Sequence, residues 1–216
     1  SNREKMHISG AKGGTAMKVE MILQHIYLVF SSCLISCILG IPLGVYSYYH
    51  KKAGRVIMTL ADIMQTIPTL AVMGLLMLVF GTNSITVIIA LCIYLILPII
   101  QNTYTGLCSV KPVYIEVAEA MGMNKKQRLL KVEFPLAFPF IITGIRIAAV
   151  TGIGVAVFGV FVGGGGLGTI LYKGVRVQDI SLILKGTAAL VIMSVCIDLA
   201  LGFLEKNLFR STNNEK

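Results

Sequence analysis

Long apolar stretches separated by shorter polar ones dominate this chain. Five of the stretches contain few charged residues and show none of the apolar–polar alternation that is typical of a half-buried strand. Each reaches about 20 residues or more, which is the length an α-helix needs to cross a bilayer. The pattern therefore predicts an all-α integral membrane protein with about five transmembrane helices, at residues 21–46, 55–80, 84–107, 135–161 and 180–204.

The same pattern predicts one domain, because the chain has no internal repeat and no linker between its apolar stretches. Residues 20–206 form the predicted transmembrane domain. Residues 1–19 are polar and glycine-rich and lie outside it, whether their origin is natural or artificial, and they lack the features of a signal peptide. Residues 207–216 form a short tail. The longest polar segment between spans is 108–134.

The composition supports a membrane protein and excludes an ordinary soluble domain. The mean hydropathy is +0.82 and only 13% of residues are charged, against roughly a quarter in soluble domains. The net charge of +9 could indicate a nucleic-acid partner, but its placement favours a membrane. The side that carries loop 47–54, segment 108–134 and the C-terminus holds eleven Lys and Arg residues, and the other side holds six. The positive-inside rule therefore predicts an external N-terminus and a cytoplasmic C-terminus.

Neither the cysteines nor the histidines indicate a metal site. Cys33 and Cys37 are one helical turn apart, but no His or carboxylate accompanies them, so packing is the favoured interpretation. His25 and His50 lie near the ends of the first span and are expected at the membrane interface.

One glycine motif resembles a nucleotide-binding fingerprint by spacing alone. Gly163, Gly165 and Gly168 match G-x-G-x-x-G, but they follow a membrane span instead of a strand, and no Lys-Ser/Thr pair follows them. A closely packed or hinged turn on the outer side is the favoured interpretation. The chain is not expected to bind a nucleotide or another cofactor itself.

Segment 108–134 carries the clearest local signals. Pro112 suits the first turn of a helix. The apolar residues Val113, Val117, Ala120 and Met121 then share one face, and Glu116 and Glu119 lie on the other. We expect a short helix here. On the residues alone, a helix lying on the membrane and a docking surface for a partner remain equally open.

A turn and a second helix are predicted to follow. Gly122 stands where helices commonly end in a left-handed residue. Asn124 and Gln127 have the spacing of a capping box, which predicts a second short helix. Pro135 is expected to open the fourth span.

Three ionisable residues fall well inside spans: Asp62, Arg146 and Asp198. Such groups are costly in a bilayer and normally face a cavity or one another. We expect Arg146 to pair with Asp62 or Asp198, and contact with a transported substrate is the alternative. Pro68 and Pro98 remove backbone hydrogen bonds and are expected to bend the second and third spans around a path.

The stretch "EVAEAMGMNKKQRLLKVEFP", residues 116–135, resembles the E-A-A-x3-G-x9-I-x-L-P signature of ABC importer permeases. The spacing matches throughout, with apolar replacements at Val117, Val132 and Phe134. The stretches "QTIPTLAVMGLL" (65–76), "YLILPIIQNTYTGL" (94–107) and "VGGGGLGTILYKG" (162–174) are similar to the osmoprotectant permeases for glycine betaine, carnitine and choline. The resemblance covers about residues 20–205.

The resemblance implies a type I, methionine-importer-like permease fold in a bacterial cell membrane, with residues 113–128 as a coupling helix. It implies a cytoplasmic ABC ATPase dimer that binds ATP-Mg, a second permease subunit and an extracellular solute-binding protein as partners. The permease itself is then not an enzyme. The residues implied in coupling to the ATPase are Glu116, Ala118, Glu119, Ala120, Gly122, Met123 and Pro135.

The transported solute is the least constrained part of the sequence. Aromatic cages bind quaternary ammonium groups, and this chain has no Trp. Candidates for a translocation path are Pro68, Tyr94, Pro98, Tyr104, Phe158 and Phe161. For each aromatic residue, packing in the core or against lipid is the alternative. A permease for an amino acid such as methionine, and a self-sufficient channel or secondary transporter, are the alternative functions.

Overall fold

A computed structural model of the chain describes the backbone of residues 18–213 and the side chains of residues 18–206. Most of the polar segment predicted at residues 1–19 lies outside the described residues. The helices are α1 (Val19–Tyr49), α2 (Lys51–Thr66), α3 (Thr69–Phe80), α4 (Ser84–Cys108), α5 (Pro112–Ala120), α6 (Lys125–Arg128), α7 (Phe134–Ala156), α8 (Gly168–Arg176) and α9 (Ile180–Asn213). A π turn (Leu129–Glu133) joins α6 to α7, and a 3-10 segment (Val157–Val162) follows α7.

Four helical segments among the described residues are long and apolar enough to cross a membrane. They are Val19–Tyr49, Ser84–Cys108, Lys125–Val162 and Ile180–Lys206. Helices α2 and α3 together make a fifth candidate, but they are bent by 95° at the break between them. The predicted second span, 55–80, is therefore not one continuous helix.

The break at Ile67 and Pro68 follows from proline chemistry. Pro68 has no N–H to donate, and its ring disfavours the helical conformation of the residue before it. Ile67 is accordingly extended, with φ −74° and ψ 130°, and α3 starts afresh after Pro68. The expected bend is thus a full interruption. In contrast, α4 continues through Pro98.

Two predicted boundaries differ from the structure. The second short helix of segment 108–134 is not separate, because α6 runs through the π turn directly into α7. The fourth span therefore begins before Pro135, which lies in the first turn of α7. At the other end of the chain, α9 continues to Asn213, so most of the predicted tail extends the last helix.

The core is built around α4, which packs between α1 and α7. Small residues on α1 recur every four positions, at Ser32, Ser36, Gly40 and Gly44, and all four are buried. A Cβ on Gly40 would lie 2.9 Å from Ile99 Cγ2, so only glycine permits this approach of α1 to α4. Small residues at fixed spacing are the usual basis of close helix packing in membranes.

The glycine-rich loop after Val162 closes one end of the bundle against α1. Gly163, Gly165 and Gly166 have positive φ values of 77°, 70° and 71°. The Gly166 N–H donates to Gln24 Oε1 at 3.0 Å, and the Leu167 N–H donates to His25 Nδ1 at 3.3 Å.

His25 lies near the start of α1, as the sequence indicated, and its side chain faces the protein interior. It is fully buried, and its Nε2 lies 3.0 Å from the carbonyl oxygen of Ile153 in α7. Since Nδ1 accepts from the loop, the proton resides on Nε2 and is donated to Ile153. His25 thus joins α1, α7 and the glycine loop.

Candidate functional site

Helix α5 and the turn that follows it have a geometry that local sequence predicts well. Pro112 occupies the first turn of α5. The Gly122 N–H bonds to the Glu119 carbonyl at 2.9 Å, and the Met123 N–H bonds to the Ala118 carbonyl at 3.1 Å. This pair of bonds is the Schellman motif, which requires a left-handed residue, and Gly122 has φ +77°. The predicted left-handed glycine is confirmed.

The capping box after this turn is also present. The Gln127 N–H donates to Asn124 Oδ1, and the Asn124 N–H donates to Gln127 Oε1, both at 2.9 Å. Helix α5 and helix α6 are thus separated by a turn whose polar backbone groups are satisfied on both sides.

One side of α5 is apolar and exposed. Ala118 is the one buried residue of the helix, at 2% exposure. Its small side chain lets α5 lie close to the rest of the chain. Val113, Tyr114, Val117 and Met121 are between 43% and 71% exposed. An apolar stripe of this kind on a short helix, outside the spans and flanked by exposed acids, is suited to contact with another protein or with the membrane surface.

A chain of ionic contacts ties α5 to the foot of the bundle. Arg128 Nη1 pairs with Glu119 Oε1, and Arg128 Nε donates to Glu133 Oε1 at 2.5 Å. Tyr49, the last residue of α1, donates its hydroxyl to Glu133 Oε2 at 3.3 Å. Glu133 is fully buried, whereas the Glu119 side chain is 58% exposed.

The π turn makes the Arg128–Glu133 pair possible. Residues five apart in a regular α-helix point about 140° away from each other at 3.6 residues per turn. In the π turn the Phe134 N–H bonds to the Leu129 carbonyl, five residues back, which brings side chains at this spacing onto one face. The sequence pattern did not indicate that Arg128, Glu133 and Tyr49 interact. The one feature that pointed to them was Glu133, a single acid directly before the apolar residues of α7.

A second ionic cluster lies between α7 and α9. Arg146 forms a bidentate pair with Asp198 and also donates from Nη1 to Glu205 Oε2 at 3.2 Å. Thr143 donates to the other Glu205 oxygen at 2.7 Å. Asp198, Gly202 and Glu205 share one face of α9, and a Cβ on Gly202 would lie 3.3 Å from Arg146 Cζ. Glycine thus leaves room for the guanidinium between the two acids.

Of the two acids that the sequence offered as partners for Arg146, the structure pairs one. Asp198 pairs with Arg146, whereas Asp62 is exposed and accepts a hydrogen bond from Gln101 Nε2 at 3.3 Å. Glu205 is a further member of this cluster, which the sequence pattern did not indicate.

Tyr94 fastens the broken span to α4. Its hydroxyl donates to the Ile67 carbonyl at 2.6 Å, and the Gln65 amide donates to the Tyr94 carbonyl at 2.7 Å. Tyr94 is only 7% exposed. It satisfies a carbonyl freed by the helix break and does not present its ring on an open surface.

The other path candidates are dispersed. Pro98 lies inside α4, and Tyr104 is half-buried. Phe158 and Phe161 are exposed, and Phe161 makes an edge contact with Tyr172 at 5.3 Å. A cavity of about 400 Å³ lies between α1, α7 and α9, but its lining contains none of the six path candidates.

The chain is similar to known membrane transport components over most of its length. Residues 37–213 match the family described as "Binding-protein-dependent transport system inner membrane component". The "Glycine betaine/carnitine/choline transport system permease protein OpuCD" of Bacillus subtilis (strain 168) is 41% identical over 186 residues, which are 86% of this chain and 81% of the relative. The "Carnitine transport permease protein OpuCD" of Listeria monocytogenes serotype 1/2a is 39% identical over 199 residues, 92% of this chain and 89% of the relative.

The fold has a counterpart among solved structures. The chain superposes on a chain of the MetNI methionine ABC transporter, in an inward-facing conformation, with a TM-score of 0.80. The match covers 88% of this chain and 95% of the other, at 22% identity. At that identity the likeness establishes the fold and says nothing about the solute. The predicted methionine-importer-like permease fold is confirmed.

Proposed function

Because the chain belongs to the family of inner membrane components of binding-protein-dependent transport systems, we propose that it is the permease subunit of an ATP-driven importer for quaternary-ammonium compatible solutes. Glycine betaine, carnitine and choline are the solutes we infer. The observation that supports the transport role most directly is α5, a helix outside the spans with an exposed apolar face and a Gly122 turn.

We infer that α5 docks on a cytoplasmic ABC ATPase. Val113, Val117 and Met121 supply exposed apolar contact area, and Glu116 and Glu119 supply polar contacts beside it. Buried apolar contact with a polar rim is the usual composition of a protein interface. Closure of two ATPase subunits on ATP would then move α5 and switch the permease between inward-facing and outward-facing states. A second permease subunit completes the path, and an extracellular binding protein delivers the solute.

The distribution of charge supports the orientation. One end of the helix bundle carries most of the Lys and Arg residues. This end contains the turn between α1 and α2, helices α5 and α6, and the C-terminal part of α9. This end is therefore proposed as cytoplasmic, and the glycine loop at residues 163–167 as external. Tyr104, Phe158 and Phe161 keep exposed or half-exposed rings and remain the proposed aromatic contacts of the path. A zwitterion such as glycine betaine carries no net charge, so its path requires no strongly charged site.

The solute assignment is supported by the relatives, which are named for betaine, carnitine and choline transport at about 40% identity. The decisive experiment is uptake of labelled glycine betaine by proteoliposomes that contain the permease, its ATPase and its binding protein. Unlabelled carnitine, choline and methionine serve as competitors.

We expect ATP-dependent uptake that carnitine or choline reduces and methionine does not. Competition by methionine alone would assign an amino-acid substrate. Uptake that persists without ATP and without the binding protein would contradict the proposal and favour a channel or secondary transporter.

A further inference from the structure

The coupling element is tied to the membrane bundle by a buried carboxylate that sequence reasoning did not identify. Glu133 is the one fully buried carboxylate among the described side chains. A buried charge is costly unless it is paired and hydrogen-bonded. Both oxygens of Glu133 are occupied, one by Arg128 and the other by Tyr49. Each oxygen of the buried carboxylate therefore has a hydrogen-bond partner. One partner lies at the end of α1 and the other on α6.

The geometry points to Arg128 as the joint that transmits movement of α5 to α1 and α7. This inference rests on the proposed function. One arm of the guanidinium holds Glu119, which is exposed on α5 beside the apolar docking face. Its other arm holds Glu133 at the root of α7. A planar guanidinium fixes both carboxylates in one orientation, which a lysine ammonium cannot do.

The route from α5 to the spans explains why such a joint is needed. Among its own residues helix α5 buries only Ala118, and short turns connect it to α4 and α6. A displacement of α5 could be absorbed by the Gly122 turn without moving the spans. The Glu119–Arg128–Glu133–Tyr49 chain bypasses that turn. It connects α5 directly to the start of α7 and to the end of α1.

The ratio of solute imported to ATP hydrolysed distinguishes a positioning role of Arg128 from a purely structural one. Loss of a structural contact lowers the amount of assembled transporter, and it then lowers ATP hydrolysis and uptake in proportion. Loss of a transmitting joint leaves the assembled ATPase hydrolysing ATP with less solute moved. The quantity to measure is therefore solute imported per ATP hydrolysed, in proteoliposomes with matched amounts of permease and ATPase.

Glu119→Gln is the mildest variant, because Glu119 is exposed and Arg128 stays paired with Glu133, so no buried charge loses its partner. The double variant Arg128→Met with Glu133→Met removes both buried charges together, which avoids an orphaned ion. For each we expect the ratio to fall roughly tenfold. Arg128→Lys should retain an intermediate ratio. Lys52→Met, which removes an exposed cation from α2 at the same end of the bundle and outside residues 113–128, is the control and should match the wild type.

The outcomes separate this inference from the proposed function. Wild-type ratios in both Glu119→Gln and the double variant would overturn the role of Arg128. A proportional fall of hydrolysis and uptake would overturn it too, because it indicates a structural contact. If the double variant does not accumulate, Glu119→Gln compared with Glu116→Gln decides, because both acids are proposed ATPase contacts and Glu119 is the one that pairs with Arg128. If the wild type neither retains the ATPase on purification nor imports solute with ATP, the proposed function itself fails.

Discussion

Arg146 and Asp198 meet side by side across the contact between α7 and α9. Arg146 Nε lies 2.6 Å from Asp198 Oδ1, and Arg146 Nη2 lies 2.8 Å from Asp198 Oδ2. The two residues are 52 positions apart in sequence, on the helices that form the fourth and fifth spans. Such a two-bond pair fixes the relative rotation of the two helices as well as their separation.

We expect Arg146→Met to reduce the amount of folded protein, because Asp198 and Glu205 then lose a shared cation within a span. Adding Asp198→Asn should restore part of the loss, since fewer uncompensated charges remain. The measurement is the monodisperse fraction after detergent extraction. Asp62→Asn in the Arg146→Met background is the control and should restore nothing. A double variant no better than the sum of the single changes would argue against the pair.

For Gly122 we expect that valine leaves insertion intact and abolishes productive coupling. The left-handed backbone strains any side chain by about 1 kcal/mol, although a Cβ at Gly122 meets only open space within the chain. The damage should therefore be to the contact with the ATPase. Co-purification of the ATPase with tagged permease, and uptake at matched abundance, measure it.

Two further glycines serve as controls for Gly122→Val. Gly81 also has a positive φ, +76°, but lies at the opposite end of the bundle, so Gly81→Val should keep the ATPase bound. At Gly106 a Cβ would lie 2.7 Å from Phe140 Cβ, so Gly106→Val should lower the folded amount instead. Full ATPase binding and full uptake in Gly122→Val would show that residues 113–128 are not the coupling element.

Tyr94→Phe is expected to loosen the broken span without changing the core volume. It removes the hydroxyl that donates to the Ile67 carbonyl and leaves that carbonyl without its partner. The cost should be about 1 kcal/mol. The checks are the thermal midpoint in detergent and the hydrogen exchange of amides 65–72. Tyr27→Phe, at a 57% exposed tyrosine of α1, is the control. Unchanged hydrogen exchange of these amides in Tyr94→Phe would show that the Tyr94 hydroxyl does not stabilise the broken span.

The orientation in the membrane predicts which positions are accessible from outside. In a cysteine-free background, a cysteine at position 173 should react with an impermeant maleimide on intact cells, and one at position 125 should not. The background is needed because Cys108 and Cys196 are exposed. Permeabilised cells should label both positions. Labelling at 125 and not at 173 in intact cells would reverse the proposed topology.

Much of this protein follows from its sequence because the deciding interactions are local. A run of about 20 apolar residues has few alternatives to a spanning helix. The Gly122 turn and the Asn124–Gln127 box involve residues no more than five apart, so their spacing alone specifies them. Pro68 likewise acts on its own neighbours, and the sequence predicted a distortion there. The sequence did not predict a complete break, because the size of the bend depends on which distant group donates a hydrogen bond to the freed carbonyl.

Only the tertiary structure decided which distant groups meet. Tyr94 reaches Ile67 across 27 positions, and Leu167 reaches His25 across 142. The sequence could not choose between Asp62 and Asp198 for Arg146, because both lie at plausible depths, and helix rotation makes the choice. Arg128 and Glu133 are close in sequence, yet a regular helix would separate them, and the π turn unites them. Burial and helix packing determine the long-range contacts, and the local π turn determines the Arg128–Glu133 contact. Residue spacing alone specifies neither kind of contact.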